Sequence, residues 1–136
     1  MDARRVLIVD DDPDIVVYLT SFLEDNGYET RAAADGADAL AAVAEFRPDA
    51  VLTDVLLPGR SGLDLLVTLR HDRRTADLAV VVMTGMDQIL QDDGHSYLTN
   101  HADIRGPDAV IGKPIDPHGL LEVLERVCAP SSVPAC

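Results

Sequence analysis

Five residues carry the side chains on which chemistry could be built: Asp10, Asp11, Asp54, Thr84 and Lys113. Each follows a short apolar run. VLIV (6–9) leads into Asp10 and Asp11, AVLT (50–53) into Asp54, LAVVVM (78–83) into Thr84, and AVIG (109–112) into Lys113. Three carboxylates drawn together form a hard oxygen cage suited to Mg²⁺, which keeps waters and leaves positions for phosphate oxygens. A hydroxyl and an ammonium opposite them would bind two further oxygens of a phosphoryl group. Phosphoryl transfer needs this set: a positioned nucleophile, a divalent ion and fixed positive charge for the equatorial oxygens.

Taken singly, each residue has a plainer reading. Asp11 or Asp12 could cap a helix, Asp54 could open a loop, Thr84 could end a strand, and Lys113 could be a surface cation. What favours the joint reading is position, because all five fall at the ends of strand-like runs.

The elements that must position them follow from pattern. VLIV suits a strand buried on both faces. Asp12-Pro13 reads as an N-cap with proline in the first turn, and Ile15, Leu19, Phe22 and Leu23 recur at helical spacing. Asn26-Gly27 ends that helix at a left-handed cap. YETRAA (28–33) reads as a more exposed strand. Asp35 opens an Ala-rich helix running to about Phe46, before Pro48. AVLT is the third strand, and VLLPGRSG (55–62) reads as a loop. LDLLVTLR (63–70) is an amphipathic helix, LAVVVMT (78–84) the fourth strand, MDQILQDD (86–93) a short helix and AVIGK (109–113) the fifth strand. Leu120, Leu121, Leu124 and Val127 pattern one face of a last helix behind Pro117.

Strands alternating with helices predict an α/β fold: a doubly wound, five-stranded parallel sheet with helices on both faces. The flavodoxin-like order 2-1-3-4-5 puts the ends of the first and third strands on either side of the switch point, where such sheets bind ligands. The reading is one domain over residues 1–129 with a flexible tail at 130–136.

Composition narrows the function classes. The chain has 136 residues and a formal charge of −13. So acidic a protein is poorly suited to direct nucleic-acid binding, which needs Lys and Arg against phosphates. No apolar run nears the roughly 18–20 residues that cross a membrane. The start MDARR leads straight into a strand, so a cytoplasmic protein is expected. Cys128 and Cys136 read as free thiols. Ten of the 11 basic residues are Arg, and the single Lys falls at the end of the fifth strand. No EF-hand, P-loop, dinucleotide fingerprint or H-E-x-x-H is present, and His71, His95, His101 and His118 are scattered.

At VLIVDDDPDI (6–15), PDAVLTDVLLPGRSGLDLL (48–66), VVVMTG (80–85) and GKPID (112–116), the chain resembles the receiver domain of two-component response regulators, of the single-domain chemotaxis type. The resemblance spans about residues 4–128. It implies that Asp54 is the phosphoacceptor, taking a phosphoryl group from a sensor histidine kinase or histidine phosphotransfer protein. It implies Mg²⁺, with Mn²⁺ as an alternative, bound by Asp10, Asp11, Asp54 and the backbone carbonyl of Leu56. Thr84 would take a phosphoryl oxygen and Lys113 would pair with the phosphoryl group. The protein would signal by phosphorylation-dependent contacts with a downstream protein, as a monomer or weak dimer, and would not be an enzyme toward separate substrates.

The chain departs from the family pattern in three places. Val110 replaces the aromatic residue that in many receivers swings inward when the threonine moves. The span from Thr84 to Lys113 is several residues longer than usual, within 91–107. Leu56 and Met86, flanking the reaction centre, are both apolar, which implies slow loss of the phosphoryl group to water. Two other readings stay open on the residues alone. Asp10-Asp11-Asp12 contains the D-x-D spacing of aspartate-nucleophile phosphatases of the haloacid-dehalogenase type, and a receiver can persist as a partner-binding module only.

Overall fold

The structure, a computed structural model, describes residues 4–54, 56–57, 60–84, 108–112 and 115–127. Five parallel strands form the main sheet: β1 (Arg5–Val9), β2 (Glu29–Ala33), β3 (Ala50–Asp54), β6 (Ala79–Thr84) and β7 (Ala109–Gly112), in the order β2-β1-β3-β6-β7. This is the predicted 2-1-3-4-5 order once a small hairpin is passed over. That hairpin pairs β4 (Leu56–Leu57) antiparallel with β5 (Arg60–Ser61). It corrects the expected loop at 55–62. Pro58 and Gly59 signalled a turn, and strands of two residues are too short to show alternation.

Four helices are described: α1 (Pro13–Asp25), α2 (Gly36–Phe46), α3 (Gly62–His71) and α4 (Pro117–Val127). Successive side chains of a strand point to opposite faces, so the continuous apolar runs feed two cores. Leu7, Val9, Val51, Val80 and Val82 pack with Ala39, Ala42 and Val43 of α2 and Leu65, Leu66 and Leu69 of α3. On the other face Val6, Ile8, Ala50, Leu52, Val81 and Met83 meet Leu19 and Leu23 of α1 and Leu120 and Leu124 of α4. The central strands therefore carry unbroken apolar runs, at 6–9, 50–52 and 79–83, because both of their faces are covered.

The caps follow the sequence closely. Asp12 accepts a hydrogen bond from the Asp14 N–H at 3.0 Å and Pro13 opens α1. Asp35 accepts from the Asp38 N–H at 2.8 Å at the start of α2. Gly27, just past α1, has φ +89°, a conformation that costs glycine little. Arg47 is the exception. It takes the left-handed cap of α2 at φ 53° without being Gly or Asn, and Pro48 behind it bars a further helical turn. The expected helix at 86–93, the extra length at 91–107, and the tail at 130–136 lie outside the described residues, as do His95, His101, Cys128 and Cys136. His71 and His118 are exposed, as expected of solvated side chains.

Candidate functional site

Register brings the strand ends level. Val9 of β1 is paired with Thr53 of β3, so Asp10 and Asp54 are each one residue beyond that pair. The Asp10 N–H continues the ladder to the Ala33 carbonyl of β2 at 3.1 Å. Asp54 is level with Met83 of β6, and the next residue, Thr84, is level with Gly112 of β7. The carboxyl ends of β1, β3, β6 and β7 thus form one rim, at the switch point where the chain turns from building toward β2 to building toward β7.

Within that rim Asp10 and Asp54 are buried, at 2% and 7% exposure, while Asp11 is exposed. Carboxylate oxygens of Asp10, Asp11 and Asp54 all lie within 4.8 Å of one another. Asp10 Oδ1 accepts the Asp12 N–H at 2.9 Å, which turns the chain sharply after β1 and fixes the Asp10 carboxylate. Asp12 is occupied as the α1 cap and takes no part in the cluster. The three adjacent aspartates therefore divide as expected, two at the rim and one at the helix. The Thr53 hydroxyl donates to the Asp54 carbonyl at 3.0 Å and anchors the backbone beneath the carboxylate.

The donor set suits a small hard cation. Octahedral ligands about 2.1 Å from Mg²⁺ stand up to roughly 4.2 Å apart. The three carboxylates are already close to that spread, and all are oxygen donors. Leu56, two residues beyond Asp54, lies in β4, paired with Ser61. Thr84 closes β6, and Lys113 follows Gly112 directly in the chain. Lys113 and Met86 lie outside the described residues.

Sequence reasoning passed over Arg70 and Asp108. Arg70, in the last turn of α3, has a side chain only 1% exposed, and its guanidinium reaches Asp108 Oδ2 at 3.0 Å. The signal was present but weak. Arg70 continues the phase of Leu66 and Leu69, so it falls on the buried face of the helix.

The fold has close relatives among known proteins. The sequence profile described as "Response regulator receiver domain" matches residues 6–125. "DNA-binding response regulator MtrA" of Mycolicibacterium smegmatis is 43% identical over 81 residues, covering 60% of this chain and 34% of that protein. "Protein PilH" of Pseudomonas aeruginosa is 31% identical over 131 residues, covering 92% of this chain and 98% of its own length. The solved "response regulator receiver domain protein (CheY-like)" from Methanospirillum hungatei superposes with a TM-score of 0.82 at 28% identity, over 98% of this chain and all of that one. Against MtrA and "DNA-binding dual master transcriptional regulator RpaA" of Synechocystis, the chain spans only 34% and 48% of the relative's length. A sheet whose carboxyl rim gathers three aspartates, matched by the family profile over nearly the whole described fold, leaves one assignment: the chain belongs to the response regulator receiver domain family.

Proposed function

We propose that Asp54 accepts a phosphoryl group from a phosphohistidine, carried by a sensor histidine kinase or a histidine phosphotransfer protein. One observation carries the reading. Asp54 is a buried carboxylate at the end of a central strand, with the Asp10 and Asp11 carboxylates within 4.8 Å. An Asp54 oxygen attacks phosphorus, the new O–P bond forms as the N–P bond breaks, and the imidazole nitrogen takes up a proton. Asp10, Asp11, Asp54 and the Leu56 backbone carbonyl would hold Mg²⁺, or Mn²⁺ in its place. When bound, the ion neutralises the carboxylates and holds a phosphoryl oxygen. Thr84 takes a second phosphoryl oxygen, and Lys113 balances the charge of the third.

The receiver unit is proposed to run over residues 1–129, with 130–136 as a tail. It acts on no separate substrate. The aspartyl phosphate carries up to two negative charges where the carboxylate carried one, and it shifts a two-state element that a downstream protein reads. Val110, 57% exposed on β7, replaces the usual aromatic switch, so the output uses other contacts. Among the described residues no helix is long and apolar enough to cross a membrane. The protein is proposed to be cytoplasmic, to work as a monomer or weak dimer, and not to bind nucleic acid directly.

The test is labelling with acetyl phosphate, read by intact mass. Wild type should gain one phosphoryl group only when Mg²⁺ is present, and Asp54→Asn should gain none. Label on Asp54→Asn, or none on wild type, would overturn the assignment. The apolar Leu56 and Met86 offer no group to orient a water, so the label should persist. Decay as rapid as in a fast chemotaxis regulator would remove that part of the reading.

A further inference from the structure

β7, four residues long, is the shortest strand of the main sheet and stands at one end of it. Its sequence, Ala109-Val110-Ile111-Gly112, is apolar throughout. Ala109 and Ile111 pack against the core, while Val110 is 57% exposed. A slip of one residue would exchange Ile111 for Val110 at the core face with little loss of apolar burial. Hydrophobic pattern, the usual guardian of register, therefore discriminates poorly here. Yet register matters at this strand. Pairing Thr84 with Gly112 decides which residue of β7 reaches the rim, and Lys113 comes next in the chain. One residue of slip moves it by about 3.3 Å.

A polar lock stands where the pattern fails. Asp108 immediately precedes β7. Its N–H donates to the Val80 carbonyl at 2.8 Å, and its Oδ2 accepts the Val80 N–H at 2.8 Å. The same oxygen accepts from Arg70 Nη2 at 3.0 Å. Arg70 Nη1 also donates to the Leu78 carbonyl at 2.6 Å and the Ala76 carbonyl at 3.1 Å. One buried guanidinium thus ties together the end of α3, the approach to β6 and the residue ahead of β7. Moving Asp108 by one residue would deprive a buried charge and a strand N–H of an acceptor, a costly exchange.

We propose that Arg70 and Asp108 are positioning residues for the phosphoryl chemistry: they fix β7 against β6 in the register that pairs Thr84 with Gly112, the residue directly before Lys113. The proposal rests on the reading of Asp54, Thr84 and Lys113 given above. Both residues stand at the amino ends of the strands, a strand length from Asp54, so they act through register alone.

The experiment compares Asp108→Ala, Asp108→Asn, Lys113→Ala and the Asp108→Ala/Lys113→Ala double variant of the full chain. Acetyl phosphate labelling, Mg²⁺ affinity by calorimetry and cross-strand NOEs between β6 and β7 are read for each. Asp108→Ala should slow labelling roughly 10- to 100-fold. Asp108→Asn keeps an acceptor for the Val80 N–H and should retain most of the rate. In the Lys113→Ala background, Asp108→Ala should add little, because no ammonium remains to be misplaced. Mg²⁺ affinity should hold in the Asp108 variants, since the three carboxylates belong to β1 and β3. Unchanged labelling in Asp108→Ala, or equal slowing with and without Lys113, would overturn the proposal. The NOEs decide the lock without reference to labelling: a native Thr84–Gly112 register in Asp108→Ala would overturn it too. If wild type takes no label, the reading of the site fails, and the NOEs still judge the lock.

Discussion

The two ends of the sheet handle charge in opposite ways. At the carboxyl rim, Asp10, Asp11 and Asp54 are crowded within 4.8 Å of one another, with Asp12, Asp14 and Asp35 at the neighbouring helix starts. The ion pairs formed among the described residues lie elsewhere. Arg5 meets Glu29, Arg31 meets Glu45, Arg70 meets Asp108 and Arg74 meets Asp72, all toward the amino ends of the strands or the helix ends beside them. One end matches charge with charge and stabilises the fold. The other gathers three carboxylates, a donor set suited to a small hard cation. On the proposed function, chemistry and cohesion thus fall at different poles of the sheet.

The largest test of that division is Arg70→Met. It removes a guanidinium that is 1% exposed and has three acceptors, so urea denaturation should show a loss of about 3 kcal/mol. A loss no larger than that of a surface substitution would erase the contrast between the poles. Next in size is the metal. Mg²⁺ at a hundred times its dissociation constant should add about 2.7 kcal/mol of stability, and Asp10→Asn should remove most of that gain. Smaller, and opposite in sign to most substitutions, is Asp54→Asn without metal. Relieving one of three crowded carboxylates should stabilise the protein by on the order of 1 kcal/mol, and a destabilised variant would argue against net repulsion at the rim.

The smallest effect belongs to Asp72. The Arg74 backbone N–H, at 2.9 Å, and then the Arg74 guanidinium hold its carboxyl below the ordinary value. A lowered folded value means stability that is present above the unfolded value and lost as pH falls through the folded one. Asp72 and Arg74 are both open to solvent, so screening removes most of it. NMR titration should show the low value, while Asp72→Asn leaves the melting temperature unchanged.

The carboxyl rim was the more legible pole. Strand ends are marked by an abrupt change from apolar to polar residues, so Asp10, Asp54 and Thr84 could be placed from pattern and topology. The caps at Asp12, Asp35 and Gly27 were equally readable, because each depends on one residue type at one local position. The amino-end contacts were not. Arg70 and Asp108 are 38 residues apart, and nothing local distinguishes Arg70 from the nine other arginines except its helical phase. Arg47 was missed for a related reason: its left-handed conformation is imposed by α2 ending against Pro48, against its own preference. The β4–β5 hairpin escaped because its turn residues outweigh two strands of two residues each.

Phe46 has a consequence of a different kind. The guanidinium groups of Arg5 and Arg31 both lie over its ring, at 5.5 and 5.2 Å from the centroid. Arg5 Nη1 also donates to the Phe46 carbonyl at 2.8 Å. Those guanidiniums, with Glu29 and Glu45, surround β2, the strand at one end of the sheet. An end strand invites a second molecule to continue the sheet, and charged side chains held in place along it make that addition unfavourable. On this argument the arginines held against Phe46 would disfavour strand addition at this edge. Neutralising Arg5 and Arg31 together would first show itself as aggregation at high concentration, before any change in the chemistry at the far rim.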